Sequence, residues 1–258
     1  MSVRIHASAL IDPTALLGAD AEVGAFAIVG PQVTIGDGCR IMPRATLERN
    51  VRLGREVVVG SGAIVGGDPQ DLKYNNEETW VEVGDRSVIR EYVTVNRGTS
   101  ASGVTRLGAG CFIMSYVHVA HDCHIGDGVI IANGTQLAGH VTIQDRAILS
   151  GLVGVHQFVS IGAMAFIGGL SRVNQDIPPF VKAVGNPVEL YGLNTMGLRR
   201  AGYAPETVTA LKRAYRLFFN SDLNLTQAQE RARQELPVLP EVDLLLAFVA
   251  NSQRGIPG

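Results

Sequence analysis

The 258-residue sequence is short of cysteine, of surplus charge and of long apolar runs. Its three cysteines, Cys39, Cys111 and Cys123, are an odd number with no CxxC spacing, so they support neither a disulfide framework nor a cysteine-built zinc site; buried, reduced thiols are expected. Lysine plus arginine (22) against aspartate plus glutamate (24) leaves a net charge of −2. Without a basic field, neither nucleic acid nor an anionic membrane is a favoured partner. Residues 1–6 carry no charged stretch leading into an apolar one, and the apolar run at 244–250 is too short to span a bilayer. A cytoplasmic protein without a membrane span is expected. An apolar share of 46% with 18% charged residues is ordinary for a globular chain with a substantial core.

The sequence is rich in one repeat. Every sixth residue from Ile5 to Val173 is aliphatic: of 29 positions in this register, 26 are Ile, Leu or Val, and only Asp71, Glu77 and Ala101 depart from it. The residue two places earlier is small or β-branched, as at Ala21, Ala27, Val33 and Cys39, and the residue after is often glycine. Two inward positions two residues apart describe a short strand, and the rest of the hexad turns a corner. Three hexads close one triangular coil of 18 residues. Coils stacked at roughly 4.8 Å satisfy their backbone polar groups lengthwise, giving a mainly β fold, a parallel β-helix.

The three exceptions fall in residues 68–82 and 97–105, which should project as loops while the prism continues in register on either side. Insertions in solenoids often carry the binding face. Beyond Val173 the hexads stop. Pro205 suits a first helical position, with Val208, Leu211, Tyr215 and Phe218 at helical spacing, and further helical pattern covers 226–235 and 241–252. The expected organisation is a β-helix over 1–189 and a small α-helical domain over 190–258.

Residues 18 apart stack one coil above another, which makes the histidines readable. His121, Gly139 and Gln157 form one column at a corner, and Asp122, His140 and Phe158 form its neighbour. A histidine, an adjacent carboxylate and a glycine amide supply a base, a group to orient it and a donor for an oxyanion, the parts of acyl transfer. A lone histidine is more often structural, but five lie between His118 and His156. His118, His121 and His124 are three apart and invite a metal reading, yet His118 and His124 face outward from successive prism faces and do not readily converge within one chain. His124 is read as surface. On pattern alone, Gly139 and Gly151 are turn glycines, and Asp71 and Lys73 are loop charges.

The segments HVAHDCHIGD (118–127), DLKY (71–74), LAGH (137–140), VHQF (155–158) and LRRAGY (198–203) occur in the order and at the separations of the UDP-N-acetylglucosamine O-acyltransferases of lipid A biosynthesis, which the chain closely resembles over nearly its whole length. The resemblance implies a left-handed β-helix, a homotrimer with clefts between neighbouring prisms, no metal and no organic cofactor. It implies transfer of a 3-hydroxyacyl group from acyl carrier protein to the glucosamine 3-hydroxyl of UDP-N-acetylglucosamine. By motif, His121 is the general base, Asp122 orients it and Gly139 donates its amide to the oxyanion. His118, His140 and His156 line the cleft, Asp71 and Lys73 touch sugar and donor, and Gln157, Asn194 and Arg200 hold the nucleotide. The small-residue column Ser115, Asn133, Gly151 and Gly169 spans three coil steps, roughly 14 Å. It becomes the acyl groove, with Gly169 at its far stop leaving room for a long chain.

The sequence departs from the family at Asn96, where well-known members have histidine, and at Pro187, where some do. Asn96, a substrate contact by position, leaves open an acceptor with a 3-amino group, hence an N-acyltransferase. Two further alternatives are a zinc carbonic anhydrase of the same fold, with its metal between subunits, and a non-catalytic β-helix, which should show threonine ladders and no histidine cleft. The basic run Arg199, Arg200, Lys212, Arg213 and Arg216 fits either a docking patch for acidic carrier protein or a solvated helix face.

Overall fold

The structure, a computed structural model, describes residues 2–257. Short strands, mostly two residues long, form three sheets of eleven, nine and eight strands, here faces A, B and C of a triangular prism with a left-handed turn. Pairing is parallel and follows the hexads, with Arg4 opposite Glu22 and Ile125 opposite Ile143. The register aliphatics form the core: Ile41, Leu47, Ile89, Ile131 and Leu149 are all at most 2% exposed, as are Ala27, Val33 and Cys39 in the second inward column. All three cysteines are free and buried, and burial pushes the Cys123 thiol up to about 12.

The corners explain how so tight a coil is possible. Sixteen non-glycine residues three places after a register aliphatic, among them Phe26, Tyr116, Asp122, His140, Leu152 and Phe158, have φ near +60°. Each such residue costs on the order of 1 kcal/mol relative to the right-handed region. The conformation turns the corner amide along the prism axis onto the coil below: His140 N donates to His121 O at 3.0 Å, and Arg146 N to Asp127 O at 2.8 Å. The backbone ladder therefore continues through the corner.

Both loops leave the prism at one corner, between faces B and C. The first occupies 68–79, between strands Ile64–Gly67 and Trp80–Val83, and the second 97–103, between Thr94–Asn96 and Val104–Leu107. Each ends sooner than the sequence suggests. Residues 80–82 and 104–105 are already in strands, because Trp80 to Val83 pair in register with Val104 to Leu107 and Val81 and Thr105 are buried. Across the loops the paired residues move from 18 apart to 30 (Ile64 opposite Thr94) and then 24 (Thr94 opposite His118).

At the C-terminal end, Val181–Val184 pairs parallel with Phe166–Ile167, and Glu189–Leu193 then folds back antiparallel, so a strand of face A crosses the expected boundary at 190. Pro187 lies in the intervening turn. Four helices follow: α1 (Thr195–Arg200), α2 (Pro205–Phe219), α3 (Leu225–Glu235) and α4 (Pro240–Asn251). Pro205 and Pro240 open α2 and α4, and Asn224 with Gln227 forms a capping box on α3. Leu198, Leu211 and Leu245 are fully buried in a core continuous with the prism. Asp176 fastens the end of this cap: its carboxylate accepts from Ser160 N, from Ser252 Oγ and from the amides of Gln253 and Arg254, at 2.7 to 3.1 Å.

Candidate active site

His121 and Asp122 sit on the B–C corner directly after the two loops, and Gly139 and His140 occupy the same corner one coil on. His121 Nδ1 lies 2.8 Å from Asp122 Oδ2. The carboxylate is buried and also accepts from Thr99 N at 3.0 Å, from Thr99 Oγ1 at 2.8 Å and from Ser102 Oγ. Burial alone would raise its pKa, but the hydrogen bonds from Ser102, His121 and Thr99 outweigh that and hold it at about 2. An ionised carboxylate can only accept, so Nδ1 carries a proton, and in the neutral imidazole the lone pair is on Nε2.

Gly139 packs against the imidazole so closely that a Cβ there would come within 2.5 Å of His121 Cε1. Its amide contrasts with those on the C–A corner. There an aspartate of the next coil caps several of them, as Asp37 Oδ1 does Ala19 N at 2.7 Å, Asp127 Oδ1 does Ala109 N at 2.7 Å and Asp145 Oδ1 does Asp127 N at 2.9 Å. Gly139 N has no acceptor among the described residues. A base and an open amide thus meet at one point, as an acyl transfer requires.

A cleft of about 540 Å³ on face B runs past this corner, lined by Gln70, His118, His121, Gly139, His156 and Gln157 among others. His118 Nδ1 is 2.7 Å from Thr94 Oγ1, and burial, with the neighbouring His121, lowers its pKa. His140 stacks on Phe158 with ring centroids 4.5 Å apart, and its Nε2 stops 3.7 Å from Asp122 Oδ2. Ligand atoms of His121, Asp122 and His140 lie within 4.8 Å of one another. The carboxylate's acceptor positions are filled by hydrogen bonds, so this donor set fits an oriented base better than a metal. His118 and His124 lie on faces B and C and do not converge. A larger cleft of about 640 Å³ on face C is crossed by Arg52, Glu82 and Arg106, where the one carboxylate pairs with both guanidinium groups and no histidine–carboxylate pair is present among the lining residues.

Other expected residues do not line the His121 cleft within one chain. Asp71 and Lys73 are on the first loop, where Asp71 Oδ1 caps Lys73 N at 3.0 Å. Asn96 ties that loop down, donating from Nδ2 to Asp68 O at 2.6 Å, while its buried Oδ1 has no partner among the described residues. Asn194 caps α1, accepting from Gly197 N and donating to Met164 O at the C–A corner, with the exposed Arg200 at the other end of the helix. Ser115, Asn133, Gly151 and Gly169 do form one column, on the A–B corner at the opposite edge of face B. Unforeseen were Thr99, Ser102, Gln70 and Arg254, whose guanidinium is 3.2 Å from His156 Nδ1. Loop residues and a chain terminus lie outside the repeat, so no column pointed to them.

Fold and site together define a hexapeptide-repeat acyltransferase. The hexapeptide model of bacterial transferases matches residues 32–67 and 105–139, and the second-domain model of UDP-N-acetylglucosamine O-acyltransferase matches 176–257. An acyl-[acyl-carrier-protein]–UDP-N-acetylglucosamine O-acyltransferase of Alkalilimnicola ehrlichii is 51% identical over 195 residues, 75% of this chain and 76% of the relative. Crystal structures of UDP-N-acetylglucosamine acyltransferases from Bacteroides fragilis (39% identical, TM-score 0.96) and Acinetobacter baumannii (40%, TM-score 0.96) each cover 98% of this chain and 99% of their own. The chain belongs to the acyl-[acyl-carrier-protein]–UDP-N-acetylglucosamine O-acyltransferase family.

Proposed function

We propose that the chain transfers a 3-hydroxyacyl group from acyl carrier protein to the 3-hydroxyl of UDP-N-acetylglucosamine, opening lipid A biosynthesis in the cytoplasm. The observation that carries this reading is the His121–Asp122 pair set against the open amide of Gly139. His121 Nε2 takes the proton of the sugar 3-hydroxyl as that oxygen attacks the thioester carbonyl. Gly139 N–H stabilises the resulting oxyanion. The intermediate collapses to the ester, the carrier thiolate leaves, and the imidazolium returns the proton to it.

The active unit in this reading is a homotrimer. The base is on the B–C corner, the small-residue column on the A–B corner and α1 by the C–A corner, so neighbouring prisms supply what one chain keeps apart. The A–B edge supports this with bulky apolar residues on its left-handed corners: Tyr92, Tyr116, Leu152 and Leu170 are 56%, 62%, 62% and 73% exposed. Such a ridge is characteristic of an interface. Asp71, Lys73, Gln157, Asn194 and Arg200 are assigned to the substrates in the same reading, Arg200 for its paired charge-assisted bonds to a diphosphate.

The test is product mass spectrometry with a panel of 3-hydroxyacyl carrier proteins and both UDP-N-acetylglucosamine and its 3-amino analogue, alongside the mass of the assembly in solution. An ester product that disappears in His121→Ala, with UDP-sugar binding retained, is expected. Turnover in that variant, or preferential amide formation, overturns the reading.

A further inference from the structure

The second loop does more than flank the site. Thr99 is 7% exposed, and its hydroxyl and its amide contact opposite oxygens of Asp122, Oγ1 to Oδ2 and N to Oδ1. The Thr99 hydroxyl itself accepts from Ala101 N at 3.2 Å, so its only proton is directed at the carboxylate. Ser102 Oγ reaches Oδ1; Val104 O lies 2.9 Å away as the neutral alternative, and the charged acceptor is the stronger. Each carboxylate oxygen therefore holds two donors. Oδ2 is shared by Thr99 and His121, and His140 Nε2 stands 3.7 Å off as a third claimant. The loop that carries Thr99 is itself anchored: the fully buried Arg97 donates to Gly66 O, to Asp68 and to Tyr74 Oη, binding the second loop to the first.

We propose that Thr99, assisted by Ser102, is a positioning residue of the acyl transfer: the second loop clamps the Asp122 carboxylate, which holds His121 with its proton on Nδ1 and its lone pair on Nε2. Without the clamp the carboxylate is free to turn and His140 to take the vacated place on Oδ2, drawing it away from His121. This rests on His121 being the base. The titratable and charged groups facing His121 are Asp122 on its own corner, His118 on the preceding strand, His140 on the next coil, and His156 and Arg172 across the cleft.

The experiment compares full-length wild type with Thr99→Val, Thr99→Ser and Ser102→Ala. The readouts are steady-state rates against pH and nitrogen-15 imidazole spectra recorded without substrate. Losing one hydrogen bond to a charged group should lower kcat of Thr99→Val by about tenfold. Its KM for the UDP-sugar should stay within about twofold. With the carboxylate drawn towards His140, the His121 imidazolium loses part of its partner, and the acid limb of kcat/KM moves to lower pH. The imidazole spectrum should change from one tautomer to a mixture. Thr99→Ser should restore rate, limb and spectrum together, and Ser102→Ala, at an exposed loop position, should move the limb in the same direction. A wild-type limb and spectrum in both Thr99→Val and Ser102→Ala overturn the inference, as does a Thr99→Ser variant as impaired as Thr99→Val. Because the spectra need no turnover, activity in His121→Ala would refute the base assignment alone, whereas an unaltered tautomer in Thr99→Val refutes the clamp alone.

Discussion

Replacing Gly139 by alanine perturbs the site at its tightest contact. The added Cβ would stand 2.5 Å from His121 Cε1 and 2.7 Å from Nε2, where ordinary contact begins at 3.4 Å. Something must move by about 0.9 Å, and the backbone of Gly139 has little freedom because His140 N and Phe158 N tie this corner to the coils on either side, donating to His121 O and Gly139 O. The imidazole is displaced instead, against its 2.8 Å bond to Asp122. A misplacement near 1 Å costs roughly 100-fold in rate, and loss of that bond costs about 2 kcal/mol of stability. The expected variant therefore folds, binds UDP-sugar as the wild type does by calorimetry, and turns over roughly 100-fold more slowly in a mass-spectrometric product assay. Because the mutation keeps the amide itself, wild-type turnover would refute the account of Gly139 as a residue required by closeness to the base.

Three other outcomes are expected. The Asp122 carboxyl, held at about 2 against an ordinary 3.8, contributes stability that is complete above about pH 4 and is lost as pH falls toward 2. Urea unfolding should show the gap between wild type and Asp122→Asn narrowing by about 2 kcal/mol from pH 5 to pH 2, and a constant gap would contradict the linkage. At Gly169 a Cβ already comes 3.2 Å from Gly151 O, so Gly169→Met should block the small-residue column and shift preference to shorter acyl chains in a donor panel; unchanged selectivity rejects the groove. Arg97→Leu removes the buried tie between the loops and should cost about 3 kcal/mol in chemical denaturation, with faster amide exchange over 68–79; protection equal to wild type would show that the loops hold independently.

Much of the fold was legible because it has one period. The register that names Ile125 and Ile143 as inward also sets them opposite each other in the sheet, and the step of 18 places Gly139 over His121. The corners were less legible. Left-handed positions usually advertise themselves as glycine, but here Tyr92, Arg146 and Leu170 take that conformation with an axial hydrogen bond to the backbone of the coil below, and Phe26 with one to Ser8 Oγ, which offsets the strain. The loops were found by the failure of the pattern, yet their ends were placed late: Val81 and Thr105 face inward, but the aliphatic column alone resumes only at Val83 and Leu107. Helix α1 went unseen since six residues show no period, and the contacts of Thr99, Ser102 and Arg254 depend on segments that follow no repeat.

The antiparallel return of Glu189–Leu193 has a meaning for assembly as well as for shape. A stack of identical parallel coils is a polymer in miniature, since each finished layer is a template for another and nothing in the repeat sets a length. The reversed strand offers the next layer the wrong hydrogen-bond pattern, and the helices covering it close off growth. A chain cut before the turn at Gly185 would end on a receptive layer, and filaments of prisms joined end to end are the product that the reversed strand prevents.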